Sequence, residues 1–141
     1  MMHPANLAII IHFVLEFWAI LLFLRQPGLQ LHDPKPPREA VLICHSYAGT
    51  LLSLNAVCFM YLFFHGVGEF DGMGTALSWS LSVYHFFPIH RAWDRMKRRE
   101  EKGSGYKSEY DVGGGPKGNL KGHLFILATL VSAGTYGLVT V

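Results

Sequence analysis

Basic side chains are missing from most of this chain. All 12 lysines and arginines lie within residues 25–38 or residues 91–121, so neither terminus carries one. Residues 66–74 have none either, and they carry Glu69 and Asp71 instead. The Lys and Arg residues of multi-pass membrane proteins accumulate in the cytoplasmic loops. This segregation is therefore typical of such a protein.

Four apolar runs separate the charged stretches. They cover about residues 5–24, 40–65, 72–93 and 119–141. A helix of about 20 apolar residues spans the roughly 30 Å of bilayer hydrocarbon. If all four runs are spans, residues 25–39 and 94–118 lie on one side, and their basic side chains place that side in the cytoplasm. The sequence therefore predicts one all-α domain over residues 1–141. It is a polytopic integral membrane four-helix bundle with both termini on the non-cytoplasmic face.

The connections between the runs differ in composition. The first contains Pro27, Pro34, Pro36 and Pro37, which predicts an extended, stiff segment. The second is a short glycine-rich turn, which predicts that the helices on either side of it are antiparallel neighbours. The third is rich in basic residues, glycine and serine. It predicts a flexible cytoplasmic loop over residues 94–118, with the third helix continuing as a basic stub at its start.

Two further absences exclude common alternatives. The first run has no basic residues ahead of it and no small-x-small site after it, and Glu16 lies inside it, so it does not resemble a cleaved signal peptide. The chain has only 2 cysteines, Cys44 and Cys58. One helix would hold them about 21 Å apart along its axis, which is too far for a disulfide. The sequence thus predicts a retained first helix and free cysteines.

Ionisable residues inside the apolar runs are the first candidates for a site, because burying them in a membrane is costly. His12 and Glu16 lie four residues apart and share one helix face. Glu16 and His85 each lie about 12 Å from the cytoplasmic ends of their helices. His45 lies about 8 Å from that side and His123 about 6 Å. These depths predict a polar pocket that opens towards the basic face.

Roles within this pocket follow from residue type. We predict that Glu16, His85 and His45 are catalytic, with Glu16 and His85 exchanging protons as general acid and base. Ligand binding is predicted for His12, Asn55, Ser78, Ser82 and His123. A histidine or asparagine within a span often serves only to join helices by hydrogen bonds. A carboxylate in mid-span is harder to explain by packing alone.

A metal site is not predicted from the spacing of the histidines. The 8 histidines show no HxxxH, HxxHH or HExxH spacing. Iron or zinc bound by closely spaced histidines therefore has little support. Any cofactor is left unknown.

Three kinds of function are compatible with such a pocket. The main prediction is a protein that binds or processes a lipophilic small molecule, either as an accessory protein of a membrane-associated pathway or as an isomerase, cyclase or oxidoreductase. The titratable residues could instead form a proton or ion relay in a small transporter. A purely structural membrane subunit is the third alternative.

Residues 84–91, with the sequence Tyr-His-Phe-Phe-Pro-Ile-His-Arg, are the one segment with motif character. Together with the layout of four short spans, this segment resembles small four-helix membrane proteins of the DoxX-like type. The resemblance implies an accessory or lipophile-handling role, and it implies no catalytic residues.

The expected partners follow from the same pattern. The spans contact the lipid bilayer, and the basic run over residues 91–102 favours anionic lipid head groups over nucleic acid. The pocket predicts a lipophilic small molecule as ligand. Small residues recur every fourth position at Gly74, Ser78 and Ser82. Such spacing permits close helix packing, either within the chain or in a homo- or hetero-oligomer.

Overall fold

The computed structural model describes residues 1–101 and 115–140. This part of the chain is all-α, as predicted. Its helices are α1 (Asn6–Arg25), α2 (Pro27–Leu31), α3 (Arg38–Phe64), α4 (Gly72–Glu101) and α5 (Gly115–Thr140). The predicted cytoplasmic loop falls mainly on residues 102–114, which lie outside the described residues. On both sides of them the chain is helical, because α4 continues to Glu101 and α5 begins at Gly115.

Among the described helices, α1, α3 and α5 are long and apolar enough to cross a membrane. Their most apolar windows reach mean hydropathies of 2.5, 1.5 and 1.5. α4 has 30 residues but is not one of these candidates, because serines and His85 occupy one of its faces and basic residues occupy its end. The structure therefore shows a helical chain with three candidate spans, where the sequence predicted four.

The first connection contains the short helix α2, where the sequence predicted an extended segment. Pro27 stands in the first turn of α2, at a position where a helix does not need the missing N–H. α2 ends at Leu31, and the left-handed φ of 57° at the next residue, His32, stops the helix. Tertiary contacts hold this helix in place, because Arg95 on α4 donates a hydrogen bond to the Gln30 carbonyl and Leu31 packs against an apolar cluster.

Asp71 caps the start of α4. Its Oδ1 atom accepts hydrogen bonds from the backbone N–H groups of Met73 and Gly74, both at 3.0 Å. A carboxylate at this position satisfies amide groups that the first helical turn leaves free. The hydrogen bond from Gly74, together with the nearby His65 ring, lowers the pKa of Asp71 below its ordinary value. The turn between α3 and α4 is thus fixed by its own acidic residue.

The helices pack most closely in two pairs, α4 with α5 and α1 with α3, and α1 also contacts α4 and α5. A small residue allows the first pair to approach, since a Cβ atom at Gly134 would lie 2.8 Å from Nε1 of Trp79. The short turn predicted that α3 and α4 are close neighbours. Their backbones approach each other less closely than those of the two pairs, and the two helices meet through side chains such as Tyr47 and Tyr84.

Two apolar clusters occupy the two ends of the bundle. We call the end that contains the α3–α4 turn the turn end, and the end that contains the basic residues the basic end. The turn-end core consists of Ala5, Ala8, Ile9, Cys58, Tyr61, Leu81, Ile126, Leu130 and Ala133. The basic-end core consists of Ile20, Phe23, Cys44, Ala48 and Leu51. Along α1, His12 and Glu16 lie between these two cores.

Candidate functional site

Three histidines from three helices form a chain of ring contacts in the middle of the bundle. Nδ1 of His12 on α1 lies 3.0 Å from Nε2 of His85 on α4. The other ring nitrogen of His85, Nδ1, lies 3.1 Å from Nδ1 of His123 on α5. His12 and His85 are fully buried. In each contact one nitrogen donates and the other accepts, so the three rings fix one another's orientation.

A carboxylate and two phenols continue this chain towards α3. The Tyr84 hydroxyl donates to Oε2 of Glu16 at 3.2 Å, and it accepts a hydrogen bond from the Tyr47 hydroxyl at 2.9 Å. The other carboxylate oxygen, Oε1, lies 3.9 Å from Nδ1 of His123. Glu16 is only 2% exposed. We call this set the polar network; its members are His12, Glu16, Tyr47, Tyr84, His85 and His123.

Helical spacing explains how distant parts of the sequence meet here. His12 and Glu16 are four residues apart, so they lie one above the other on the inner face of α1. Tyr84 and His85 are consecutive on α4, and α1 lies beside both of them, because Tyr84 bonds to Glu16 and His85 contacts His12. His123 reaches His85 because α5 packs closely on α4. The network therefore depends on the packing of four helices.

The structure brings together four of the residues that the sequence singled out: Glu16, His85, His12 and His123. Asn55 and the two serines are buried but stay outside the network. Nδ2 of Asn55 donates to the Phe13 carbonyl at 2.9 Å and joins α3 to α1. The Ser82 hydroxyl donates to the Ser78 carbonyl within α4. In this structure Asn55 joins helices, and Ser82 bonds to its own helix.

His45 does not face the network. It is exposed on the outer surface of α3. The buried stripe of α3 contains Cys44, Ala48 and Leu51, so His45 is rotated from it by about 100°, the turn between consecutive helical residues. This placement corrects the expectation that His45 shares a pocket with Glu16 and His85.

Sequence reasoning missed the two tyrosines. Tyr47 and Tyr84 are only partly buried, and Tyr84 was noted only as part of a motif. A usable signal exists, because a phenol well inside an apolar span needs a hydrogen-bond partner. The two hydroxyls supply that partner to each other, and Tyr84 passes the interaction on to Glu16.

A cavity of about 230 Å³ reaches the polar network from the basic end. Glu16, Tyr84 and His123 form its polar wall, and Arg91 lies at the same cavity. Leu15 and Trp18 of α1 add apolar lining, and the polar residues Gln30 and Asn119 also line the cavity. A larger groove of about 440 Å³ lies between α1 and α5 towards the turn end, but its lining is almost wholly apolar and contains no member of the network. Of these two cavities, only the smaller one therefore reaches the polar network.

Three residues of the network have the donor atoms of a metal site. His12, Glu16 and His85 each offer one ligand atom, and these atoms lie within 4.8 Å of one another. Imidazole and carboxylate are the ligands of many zinc and iron centres. The histidine spacing did not predict this cluster, because His12 and His85 are 73 residues apart in sequence and meet only after folding.

Comparison with known proteins adds no relative. No protein-family model matches the chain, and neither a curated protein nor a solved structure matches it.

Proposed function

We propose that this protein is a small multi-pass membrane protein that binds a lipophilic small molecule by its polar end, in the cavity at the basic end. The observation that carries the proposal is the cavity itself. It connects the surface of the bundle to a buried carboxylate, a phenol and an imidazole, those of Glu16, Tyr84 and His123. Sites for small molecules typically combine an apolar lining with a few converging polar groups.

In this proposal α4 is the fourth span. Its outward face is apolar and exposed, with Trp79, Val83, Phe86 and Phe87, which suits contact with acyl chains. Its inward face carries the polar residues of the network. A helix with its polar groups turned towards the bundle interior can cross a bilayer although its mean hydropathy is low. Four spans also place both basic stretches on one side, as the charge rule requires.

The cavity lining defines the chemical class of the ligand. Glu16 offers an acceptor, or a donor when protonated, and Tyr84 and His123 offer groups that both donate and accept. Arg91 supplies a cationic group at the same cavity. Leu15, Trp18 and neighbouring side chains leave an apolar route towards the lipid. We therefore propose a ligand with a hydroxyl, carbonyl or acidic end and a hydrocarbon body that remains in the bilayer.

The interior beyond His12 supports a site that opens to one side rather than a proton path across the membrane. Ile9, Leu81 and Leu130 are fully buried and belong to the turn-end core. Ile9 and Leu81 lie about one helical turn beyond His12 and His85, away from the basic end. The buried polar residues on this side are Asn6, Thr75, Ser78 and Ser82. None of them has a side chain that titrates near neutral pH, so the titratable groups of the polar network do not continue through this layer. Binding or processing of a ligand is accordingly the better-supported alternative, and an accessory role of the DoxX-like kind remains compatible with it.

Two glycines provide a matched test. Gly122 lines the cavity, and a Cβ atom there would meet nothing within 4 Å. Gly49 has equally open space and is also exposed, but it lies on α3 and does not line the cavity. Gly122→Leu should fill the cavity, whereas Gly49→Leu adds the same side chain to the lipid-facing surface. The measurement is the amount of lipophilic molecule extracted per mole of protein purified in mild detergent, quantified by mass spectrometry.

We expect Gly122→Leu to lower the amount of bound molecule about tenfold or more, which corresponds to about 1.4 kcal/mol or more. Gly49→Leu should retain the wild-type amount. Equal amounts in both variants, or no molecule specifically retained by the wild type, would contradict the proposal.

A further inference from the structure

We propose that His12, Glu16 and His85 bind one divalent first-row transition-metal ion inside the polar network. The proposal stands on the positions and the chemistry of these three side chains, so it does not depend on whether a lipophilic molecule occupies the cavity beside them. The probe is Zn²⁺, which has no redox chemistry of its own.

The donor set selects this class of metal. Two imidazoles and one carboxylate are the protein ligands of catalytic zinc sites and of non-haem iron sites, and both leave positions open for water or substrate. Calcium and magnesium prefer ligand sets built from oxygen. Copper(I) prefers sulfur ligands. Cys58 lies in the turn-end core and Cys44 in the basic-end core, so neither belongs to this donor set.

The distances between the donor atoms are close to those of a metal site, so only small side-chain movements are needed to bind an ion. Nδ1 of His12 and Nε2 of His85 lie 3.0 Å apart, and the carboxylate oxygen completes a set within 4.8 Å. Metal–nitrogen bonds of about 2.0–2.1 Å in a tetrahedral site place neighbouring donors roughly 3.4 Å apart. The two rings therefore need to separate by a few tenths of an ångström, and the carboxylate needs to approach by at most about 1.4 Å.

Partners that orient two of the three ligands, Glu16 and His85, are already present, whereas Nε2 of His12 is buried without a hydrogen-bond partner. A metal-bound histidine usually donates its second ring N–H to an acceptor, and a ligating carboxylate is itself hydrogen-bonded. If His85 binds through Nε2, its Nδ1–H points at Nδ1 of His123, 3.1 Å away. The Tyr84 hydroxyl donates to Oε2 of Glu16 at 3.2 Å. His123 and Tyr84 are therefore positioning residues in this proposal.

Burial and charge favour the same arrangement. All three ligand side chains are at most 2% exposed. A carboxylate in such a place needs a proton or a cation to offset the cost of removing it from water. A divalent ion bound beside two neutral imidazoles supplies that charge at the carboxylate itself. The cavity at Glu16, Tyr84 and His123 then gives a small molecule access to an open coordination position.

The test measures metal uptake directly. The protein is purified through a tag without histidines, reconstituted in lipid nanodiscs, stripped with a chelator and titrated with Zn²⁺ alone. Calorimetry gives the affinity, and elemental analysis after buffer exchange gives the stoichiometry. The variants are His12→Ala, Glu16→Gln and His85→Ala, and the matched control is His45→Ala, which removes an exposed histidine from α3.

We expect the wild type and His45→Ala to retain about one equivalent of zinc. Each ligand variant should lower the affinity by more than about tenfold, and His123→Gln should lower it by about 10- to 100-fold, as loss of an orienting partner does elsewhere. If the ligand variants do not fold, X-ray absorption of the zinc-loaded wild type gives the same answer, because two imidazole ligands and one oxygen ligand should surround the metal. No stoichiometric uptake by the wild type, uptake unchanged in all three ligand variants, or a different ligand set would overturn the proposal.

Discussion

The two halves of this bundle use the same helices for different purposes. Towards the turn end, the interior contains the fully buried apolar residues Ile9, Leu81 and Leu130, and its buried polar residues, such as Ser78 and Ser82, are uncharged. One to two helical turns away, His12, Glu16 and His85 occupy equally buried positions. Apolar packing alone would hold the helices together at both levels. The second level instead carries groups that are costly to bury, and the proposed binding site rests on this difference.

Leu81→Ala should have the largest effect on stability. Leu81 is fully buried in the turn-end core, and removing a buried leucine side chain leaves a cavity that costs about 2–5 kcal/mol. Val83→Ala is the control, because Val83 is exposed on the outer face of α4. Chemical unfolding in detergent micelles should separate the two variants by at least about 2 kcal/mol. Similar values would mean that this layer is not tightly packed.

Gly134→Ala tests the close approach of α4 and α5 at the turn end. The added Cβ atom would lie 2.8 Å from Nε1 of Trp79, so the Trp79 ring or the helix backbone must shift, at a cost of about 1–3 kcal/mol. Gly49→Ala is the control, since its Cβ atom meets nothing within 4 Å. Replacing a helical glycine by alanine there should stabilise the protein slightly. The free energy of unfolding is measured for both variants. If Gly49→Ala destabilised the protein more than Gly134→Ala, the close packing of α4 on α5 would be wrong.

Tyr84→Phe tests the polar level with almost no change of shape. It removes the hydroxyl that donates to Glu16 and accepts from Tyr47. Leaving such buried partners unpaired costs about 1–3 kcal/mol. Tyr47→Phe removes only one hydrogen bond and should cost about 1 kcal/mol. If both variants lowered the free energy of unfolding equally, Tyr84 would not be the middle member of the hydrogen bonds that run from Tyr47 through Tyr84 to Glu16.

Asp71 should give the smallest effect, which depends on pH. Because folding lowers the pKa of Asp71, its contribution to stability is present above the ordinary pKa of 3.8 and is lost as the pH falls through the lower folded value. Asp71→Ala should cost about 0.5–2 kcal/mol at neutral pH, the usual value of a lost cap. The cost should shrink in acid. A cost that stays constant between neutral pH and about pH 3 would exclude the charged cap.

Much of the candidate site was predictable, because the sequence shows which ionisable residues are costly to bury and how far along its helix each of them lies. Glu16, His12, His85 and His123 each interrupt an apolar run, and the rise of a helix gives each of them a depth measured from the basic side. The rotation of a helix about its own axis is less well determined. On α3 the serines, glycines and small apolar residues do not distinguish one face from its neighbour, and His45 was therefore assigned to the wrong side.

Other features depend on contacts between distant residues. The helix α2 forms in a proline-rich connection because Arg95 and the basic-end core hold it. The cluster of metal donors joins α1 to α4, which spacing within a short window cannot reveal. Tyr47 belongs to the polar network because its hydroxyl bonds to Tyr84, and Tyr84 belongs to it because its hydroxyl bonds to Glu16. Only the packing of the helices brings these side chains together.

The central claim is that the polar level binds and the apolar level holds the bundle together. Its most direct test compares Glu16→Gln with Leu81→Ala, measuring for each the bound zinc per protein in nanodiscs and the free energy of unfolding. We predict that Glu16→Gln loses most of the zinc with little loss of stability. Leu81→Ala should keep the zinc and lose about 2–5 kcal/mol of stability. Full zinc occupancy in Glu16→Gln together with an equal loss of stability in both variants would contradict the account.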